Sequence, residues 1–445
     1  MKDFALSENE AVQRQLDRLG ALPLPKGTIG LDTTRALLDR LGNPERELPP
    51  VFHVAGTNGK GSTCAFLRAM LEAEGYKVHV ATKPHLVRYN ERIRIAGELI
   101  SDALLASLLE EVLDACEGLN PSFFEVTTAA MFLAFHRNSA DACVIEVGLG
   151  GRFDATNVLE KPAACGIASL GIDHEHFLLT PDPTAPKSPL ARIAFEKAGI
   201  ARPGVPLVTM DYPDEANQAV FAQAEKVGAP LYPAGSRWHF AEGIGKRTGY
   251  RDAKGSLFLP EPPLEGWHQR VNSALAAAML RHQDVLPVSV ASLKAGTLAA
   301  RWPARLQVLG PGPLTELLPA RRLLLDGGHN PDAAMALADY FTENNTGPID
   351  ALIGMMALKD ARNFLTILAP HLASVTAVPI EGNDHLALDV LEGLAKEAGV
   401  AQTSSAPDLV SALEALPQRN GGTVLIAGSL YLAGKVLAAN REVPD

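Results

Sequence analysis

Cysteine is scarce in this chain: four residues in 445, Cys64, Cys116, Cys143 and Cys165, with no Cys-x-x-Cys pair. That argues against a disulfide scaffold and a thiolate zinc site. Buried, inert thiols in a reducing compartment are expected instead. Long hydrophobic runs are missing as well. No apolar stretch reaches the ~18–20 residues that a membrane helix needs. Met1 to Leu16 lacks the basic start and apolar core of a secretory signal. A cytoplasmic protein without a membrane partner is expected. Positive charge is in deficit, with 40 Lys+Arg against 51 Asp+Glu and a formal net charge of −11. Nucleic-acid binders carry a basic excess or stripe, so no nucleic-acid partner is expected. Small anionic substrates held by local lysines and arginines stay compatible with that charge.

What is present is the composition of a globular chain, 47% apolar and 20% charged. The length exceeds one domain of roughly 100–200 residues. Short apolar runs (Val51–Ala55, Lys77–Ala81, Cys143–Val147, Cys165–Leu170, Val205–Met210) alternate with helical stretches such as Ser62–Glu74 and Asp102–Cys116. Strands alternating with helices predict βαβ units and a mainly parallel α/β sheet. The alternation restarts at Arg322–Asp326, Ala351–Met355, Val375–Ile380 and Thr423–Ala427, with a helix at Ala333–Phe341. A large domain over 1–300 and a smaller Rossmann-like α/β domain over 301–445 are expected, with the junction in Lys294–Arg305, where an Ala/Gly-rich helix end meets Trp302-Pro303. The proline-rich stretch Pro181–Pro189 reads as a surface loop.

The strongest local signal is Phe52-His53-Val54-Ala55-Gly56-Thr57-Asn58-Gly59-Lys60-Gly61-Ser62. An apolar strand runs into a glycine-rich turn, then a lysine, then a hydroxyl residue opening a helix. Backbone N–H groups in such a turn curl around phosphate oxygens, and the helix N-terminus adds positive potential. Lys60 supplies a point charge for the β- and γ-phosphates, and Ser62 a hydroxyl for Mg²⁺. Gly61 separates Lys60 from Ser62, so the strict G-x-x-x-x-G-K-[ST] pattern is not met. Glu146 ends an apolar strand, and a carboxylate there is costly unless paired or bound to a cation. His174 follows another strand, at the sheet edge where α/β proteins bind ligands. Gly148-Leu149-Gly150 fails as a dinucleotide fingerprint because Phe153 stands at the third glycine position. His174-Glu175-His176 lacks the i, i+4 spacing of a zinc protease.

Taken together and in order, these residues resemble the folylpolyglutamate synthase/dihydrofolate synthase family of the Mur ligase superfamily. The resemblance rests on Gly56–Ser62, on Glu146-Val147-Gly148-Leu149-Gly150-Gly151-Arg152-Phe153-Asp154-Ala155-Thr156-Asn157 and on Glu196-Lys197-Ala198-Gly199-Ile200. It extends through Pro84–Ile93, Asp326-Gly327-Gly328-His329-Asn330-Pro331, Ile353-Gly354-Met355 and Lys359-Asp360, from about Leu31 to Leu437. It implies a P-loop-containing, Mur-ligase-like central domain and a smaller domain that closes over it.

The resemblance also implies an activity: ATP converts a substrate carboxylate to an acyl phosphate, which the amine of L-glutamate attacks. The substrates are dihydropteroate or reduced folates, L-glutamate and ATP, acted on by a monomer. The bifunctional bacterial form is expected, a monofunctional folylpolyglutamate synthase being the alternative and another Mur-type ligase a more distant one. Gly56, Thr57, Asn58, Gly59, Lys60, Gly61 and Ser62 then bind ATP. Ser62 and Glu146 look like ligands of one Mg²⁺, and Glu146 and His174 of a second. Lys60, His174 and Lys197 are the catalytic candidates. Lys197 matches the lysine the family carbamylates; read without the family it is a helical surface lysine. Asn272, Asp326, Arg305 and His329, grouped here with the second domain, resemble nucleotide contacts. Pro84, His85, Arg88 and Arg92 resemble the folate loop, with Phe124, Glu125 and Asp154 as further substrate contacts. The resemblance leaves a monovalent cation open. Two departures stand out: Lys83 where the family usually has serine, and extra prolines in Leu178–Leu190.

Overall fold

The computed structural model describes residues 6–22, 30–180, 182–417 and 420–445. Its first sheet is built from β1 (Val51–Ala55), β2 (Val78–Ala81), β3 (Ile93–Ile95), β4 (Glu98–Leu99), β5 (Ala142–Glu146), β6 (Ala164–Ile167), β7 (Leu207–Thr209) and β8 (Leu231–Pro233). The spatial order is β4-β3-β2-β5-β1-β6-β7-β8. All pairings are parallel except those of β3. β9 (Trp238–Glu242), β10 (Thr248–Asp252) and β11 (Gly255–Leu259) form a separate antiparallel sheet. The third sheet contains β12 (Gln307–Val308), β13 (Arg322–Leu325), β14 (Ile349–Ile353), β15 (Leu372–Ala377), β16 (Gln402–Ser405) and β17 (Thr423–Ala427). Its order is β12-β13-β17-β14-β15-β16, parallel apart from β12.

The strands are short and apolar because both faces of each large sheet are covered. Along β5, Ala142 and Val144 enter one apolar cluster while Cys143 and Ile145 enter another. The same two-residue period splits β13: Leu324 faces one cluster, Leu323 and Leu325 the other. β1 and β17 lie where their apolar runs predict them. β9–β11 interrupt the strand–helix alternation with an unanticipated antiparallel insertion. All four cysteines are free and buried. Among the described residues no helix is long and apolar enough to cross a membrane.

The predicted loop 181–189 needs correction at its end. Pro181 lies outside the described residues, and Pro189 opens the helix Pro189–Ala198. Proline fits that first helical position because its missing N–H would have no intrahelical partner there. The Ala/Gly-rich helix Val290–Ala299 ends before Trp302-Pro303, and the chain enters the third sheet at Gln307.

The C-terminal edges of the two large sheets face each other. Two glycines allow the close approach. A Cβ on Gly171 would stand 1.6 Å from Asp332 Oδ2, and one on Gly434 would stand 1.9 Å from the Leu86 carbonyl oxygen.

Candidate functional site

The phosphate loop leaves the end of β1, and its helix runs from Lys60 to Ala73 behind Gly59. Neighbouring strands fasten the loop. The Thr57 amide donates to Ser169 O at 2.7 Å, and its hydroxyl to Gly171 O at 2.9 Å. Lys60 folds over the loop, its Nζ donating to the carbonyls of Gly56 and Thr57, each at 3.0 Å. Ser62 is buried in the first turn of the helix.

β5 and β6 flank β1, with Glu146 in register with Val54 and Ile167 with Ala55. This places Glu146 beside the loop. Its carboxylate is buried and accepts the Lys83 backbone N–H at 3.0 Å. Burial raises its pKa, against the opposing charges of Lys60, Arg305 and Lys83. The Lys83 ammonium donates to Thr128 Oγ1 at 3.2 Å. Asp154 turns its carboxylate inward. It accepts Leu149 N at 2.8 Å and, on its other oxygen, Thr156 N at 3.0 Å and Thr156 Oγ1 at 2.6 Å. The Thr156 hydroxyl therefore accepts from His53 Nε2 at 2.8 Å, which assigns the His53 tautomer.

His174 starts a short helix beyond β6 in a left-handed conformation, φ 56°. Strained backbone of this kind recurs at ligand sites. Burial lowers its pKa to about 3, so the imidazole is neutral at pH 7. Lys197 is no surface residue. It is 4% exposed, and its Nζ donates to Gly56 O at 2.8 Å, the carbonyl that Lys60 also uses. Burial, reinforced by the charge of Lys60, lowers its pKa to about 7. The glycine-rich segment after β5 aims this helix. Arg152 pairs with Glu196 through Nη2 at 2.8 Å and Nε at 3.1 Å, and Asn157 Nδ2 donates to Gly199 O at 3.0 Å.

Other candidates reach the loop from two sides. Asn272 lies on the helix Trp267–Arg281, whose Ala274–Leu280 stretch packs in the first sheet's core. It therefore belongs with the first sheet, which corrects its grouping with the second domain. Its Oδ1 lies against Gly59. Arg305 sits between Ala304 and Leu306, at φ 55° and 47°, and faces Asp326 and Glu146. Asp326 caps its own loop, accepting Leu306 N at 2.8 Å and Gly328 N at 2.7 Å. His329 Nδ1 pairs with Gly327 O at 2.8 Å, and its Nε2 lies 3.5 Å from Asp173.

Within Pro84–Arg92, Glu91 accepts the amides of Leu86, Val87 and Arg88 at 2.7, 2.9 and 2.6 Å. Arg92 Nε donates to His85 Nδ1 at 2.9 Å, and its guanidinium lies over Tyr89. These two side chains shape the loop. Arg88 is exposed and donates to Pro444 O at 2.7 Å. Glu125 is engaged in a capping box with Ser122 and accepts from Thr34 Oγ1 at 3.1 Å. Phe124 packs edge-on against Phe123.

The structure thus gathers Gly56, Thr57, Lys60, Gly148–Gly150, Asp173, His174 and Lys197 around one cleft. Glu125 is committed to its helix. Reasoning from sequence missed Asp173, Asn330 and Lys359 as a group. Asp173 is the neighbour of His174, and the other two lie in quoted motifs.

A sequence profile described as "Dihydrofolate synthetase, C-terminal domain" matches residues 319–439. The chain is 32% identical over 433 residues to the dihydrofolate synthase/folylpolyglutamate synthase of Bacillus subtilis, covering 92% of this chain and 94% of that one. Among solved structures it is similar to Escherichia coli FolC in complex with DHPP and ADP. The TM-score is 0.84 at 30% identity, over 96% of this chain and 97% of that one. It is also similar to the bifunctional folylpolyglutamate synthase/dihydrofolate synthase of Yersinia pestis complexed with AMPPNP and Mn ion. There the TM-score is 0.82 at 29% identity, over 97% and 99% of the two chains. The chain belongs to the dihydrofolate synthase/folylpolyglutamate synthase family.

Proposed function

We propose that this protein is an ATP-dependent ligase joining L-glutamate to the carboxylate of a pteroate or folate, with both synthase activities. One arrangement carries the reading. The phosphate loop at the end of β1 lies between Glu146 at the end of β5 and His174 beyond β6, with Lys197 bonded to the loop. The relatives that bind adenine nucleotides, DHPP and Mn support the same substrate class and a divalent cation.

The residues fit such a cation. Glu146 is a buried carboxylate with few internal donors, and His174 is held neutral, the form that ligates metals. Among the described residues no three His, Cys, Asp or Glu side chains cluster as a complete cage. That suits Mg²⁺, which takes one or two protein oxygens and completes its shell with phosphate and water. Ser62 and Glu146 would hold one ion, and Glu146 and His174 a second. When bound, these ions supply positive charge to the phosphoryl oxygens.

The protein's own groups position and neutralise, which is most of what phosphoryl transfer requires. The amides of Gly56–Ser62 cradle the phosphates, and Lys60 exchanges the Gly56 and Thr57 carbonyls for phosphate oxygens. The substrate carboxylate attacks the γ-phosphorus, ADP leaves, and an acyl phosphate forms. The glutamate amine attacks the acyl carbon, phosphate departs with the C–O bond electrons, and the amide remains after proton loss. Asn272, Arg305, Asp326 and His329 line the nucleotide side. The Pro84–Arg92 loop and Phe124 line the folate side, and Asp154 braces the turn behind them through Leu149 N and Thr156. Lys197 with a pKa near 7 supplies the neutral amine that CO₂ needs to form a carbamate, releasing one proton. A carbamate there is an anion beside the phosphate loop, at the Gly56 carbonyl and near the charge of Lys60. A cytoplasmic monomer, with a nucleotide domain over 1–300 and a closing domain over 301–445, completes the reading.

The test is ADP release from purified protein with ATP, Mg²⁺ and L-glutamate. Release with both dihydropteroate and tetrahydrofolate supports the bifunctional assignment. Release with tetrahydrofolate alone reduces it to a folylpolyglutamate synthase.

A further inference from the structure

A polar contact between the two large sheets converges on one carboxylate that the proposed chemistry leaves unused. Asp173 Oδ1 accepts Lys359 Nζ at 2.7 Å and its neighbour's amide, His174 N, at 2.7 Å. Asp173 Oδ2 accepts Asn330 Nδ2 at 3.1 Å and lies 3.5 Å from His329 Nε2. Lys359 follows β14, while His329 and Asn330 follow β13. Asp173 therefore receives side chains from two strand ends of the opposite sheet. Its side chain is only 10% exposed and that of Lys359 15%.

The contact does not end at Asp173. Asn330 caps the helix Pro331–Glu343, its Oδ1 accepting Ala333 N at 2.9 Å. The same amide pairs reciprocally with Asn58 of the phosphate loop, two hydrogen bonds of 3.1 Å. Gly171, two residues before Asp173, leaves the space that Asp332 fills. Lys359 also lies near enough to Lys60 for their charges to oppose each other. A cation would not rest near another cation without an anion to hold it, and Asp173 is that anion.

We propose that Asp173 and Lys359 form a positioning pair that docks the second domain onto the phosphate loop and fixes His174 and Asn58 for the reaction. The inference rests on the ligase reading for what is positioned, but the docking itself is independent of it. Asp173 is the receiving anion on the first domain. Lys359 is the incoming cation, and Asn330 carries the same contact to Asn58. Separating the domains breaks all three links at once, so the loop, His174 and the second domain's His329 come into register only in the closed form.

The experiment compares Asp173→Asn, Lys359→Met, the double variant and Lys359→Arg with the unmodified protein. Both partners sit in loops at the cleft, and circular dichroism with thermal melting confirms that each variant is folded. Coupled contacts are non-additive. The expected result is a fall of about tenfold in kcat for each single variant and no further fall in the double variant, with partial recovery in Lys359→Arg. A second readout needs no turnover: energy transfer between dyes on the two domains, with and without AMPPNP. The unmodified protein should close on adding nucleotide, and Asp173→Asn and Lys359→Met should close less. Unchanged kcat, fully additive losses or unchanged closure in folded variants would overturn the proposal. If the unmodified protein releases no ADP with any folate, the ligase reading fails while the closure measurement still decides the docking pair.

Discussion

Lys197→Met replaces a buried amine with an uncharged side chain of similar length. In the native protein the amine titrates near 7, against 10.5 for an exposed lysine. The sign follows from proton binding. Between pH 7 and 10.5 the unfolded chain holds a proton that the native state has lost, so the stability of the parent protein rises with pH across that window. Below pH 7 both states are protonated and the full burial cost persists. At 1.36 kcal/mol per pH unit that cost is at most ~5 kcal/mol. Methionine removes it but forfeits the 2.8 Å hydrogen bond to Gly56 O, worth ~1 kcal/mol. Lys197→Met should therefore be more stable than the parent at pH 6, by up to ~4 kcal/mol. At pH 10 it should match the parent or be slightly weaker. Urea unfolding at the two pH values, in CO₂-free buffer so that the amine stays unmodified, measures the difference. The same variant should turn over poorly, the expected conflict between a strained site and stability. Equal destabilisation at both pH values would refute the reasoning, because it would mean that Lys197 keeps an ordinary pKa.

Other consequences are direct. Lys60→Ala should lower kcat by ~10²–10³ or more through lost charge on the transferring phosphate; a near-normal rate in steady-state assays would remove the loop assignment. Glu146→Gln should raise the half-saturating Mg²⁺ concentration by about tenfold or more, and an unchanged metal titration counts against its ligand role. Activity of Lys197→Ala restored by short carboxylates would support a carbamate, and absence of rescue would speak against it. Gly434→Val would place a side chain 1.9 Å or less from Leu86 O. A displacement of about 1 Å can cost ~10²-fold in rate, so kcat/KM for the folate should fall sharply while the first domain's melting transition stays in place.

The legible parts of the site are those that are contiguous in sequence. Gly56–Ser62 reads as a phosphate loop because its glycines, lysine and hydroxyl all lie within seven residues behind an apolar strand. Glu146 and His174 could be placed because each stands at the end of an apolar run, and parallel sheets put those ends on one edge. The Asp173–Lys359 contact joins residues 186 apart, and no local pattern pairs them. Lys197 shows the same limit: its helix is legible, but its burial depends on Arg152 and Asn157 binding the turn around it. Glu125 had a local signal that went unused, the Ser-x-x-Glu spacing from Ser122 that marks a capping box. β9–β11 stayed hidden because a small antiparallel insertion does not disturb the strand–helix period on either side.

In the proposed reaction a pteroate is joined to glutamate as ATP is converted to ADP and phosphate. Purified protein mixed with Mg²⁺, ATP, L-glutamate and dihydropteroate tests it most directly, with ADP followed by a coupled assay and the product by mass spectrometry. ADP release should require both co-substrates, and the product should be one glutamyl residue heavier than dihydropteroate. ADP release that continues unchanged without glutamate and pteroate, with no heavier product, would contradict it.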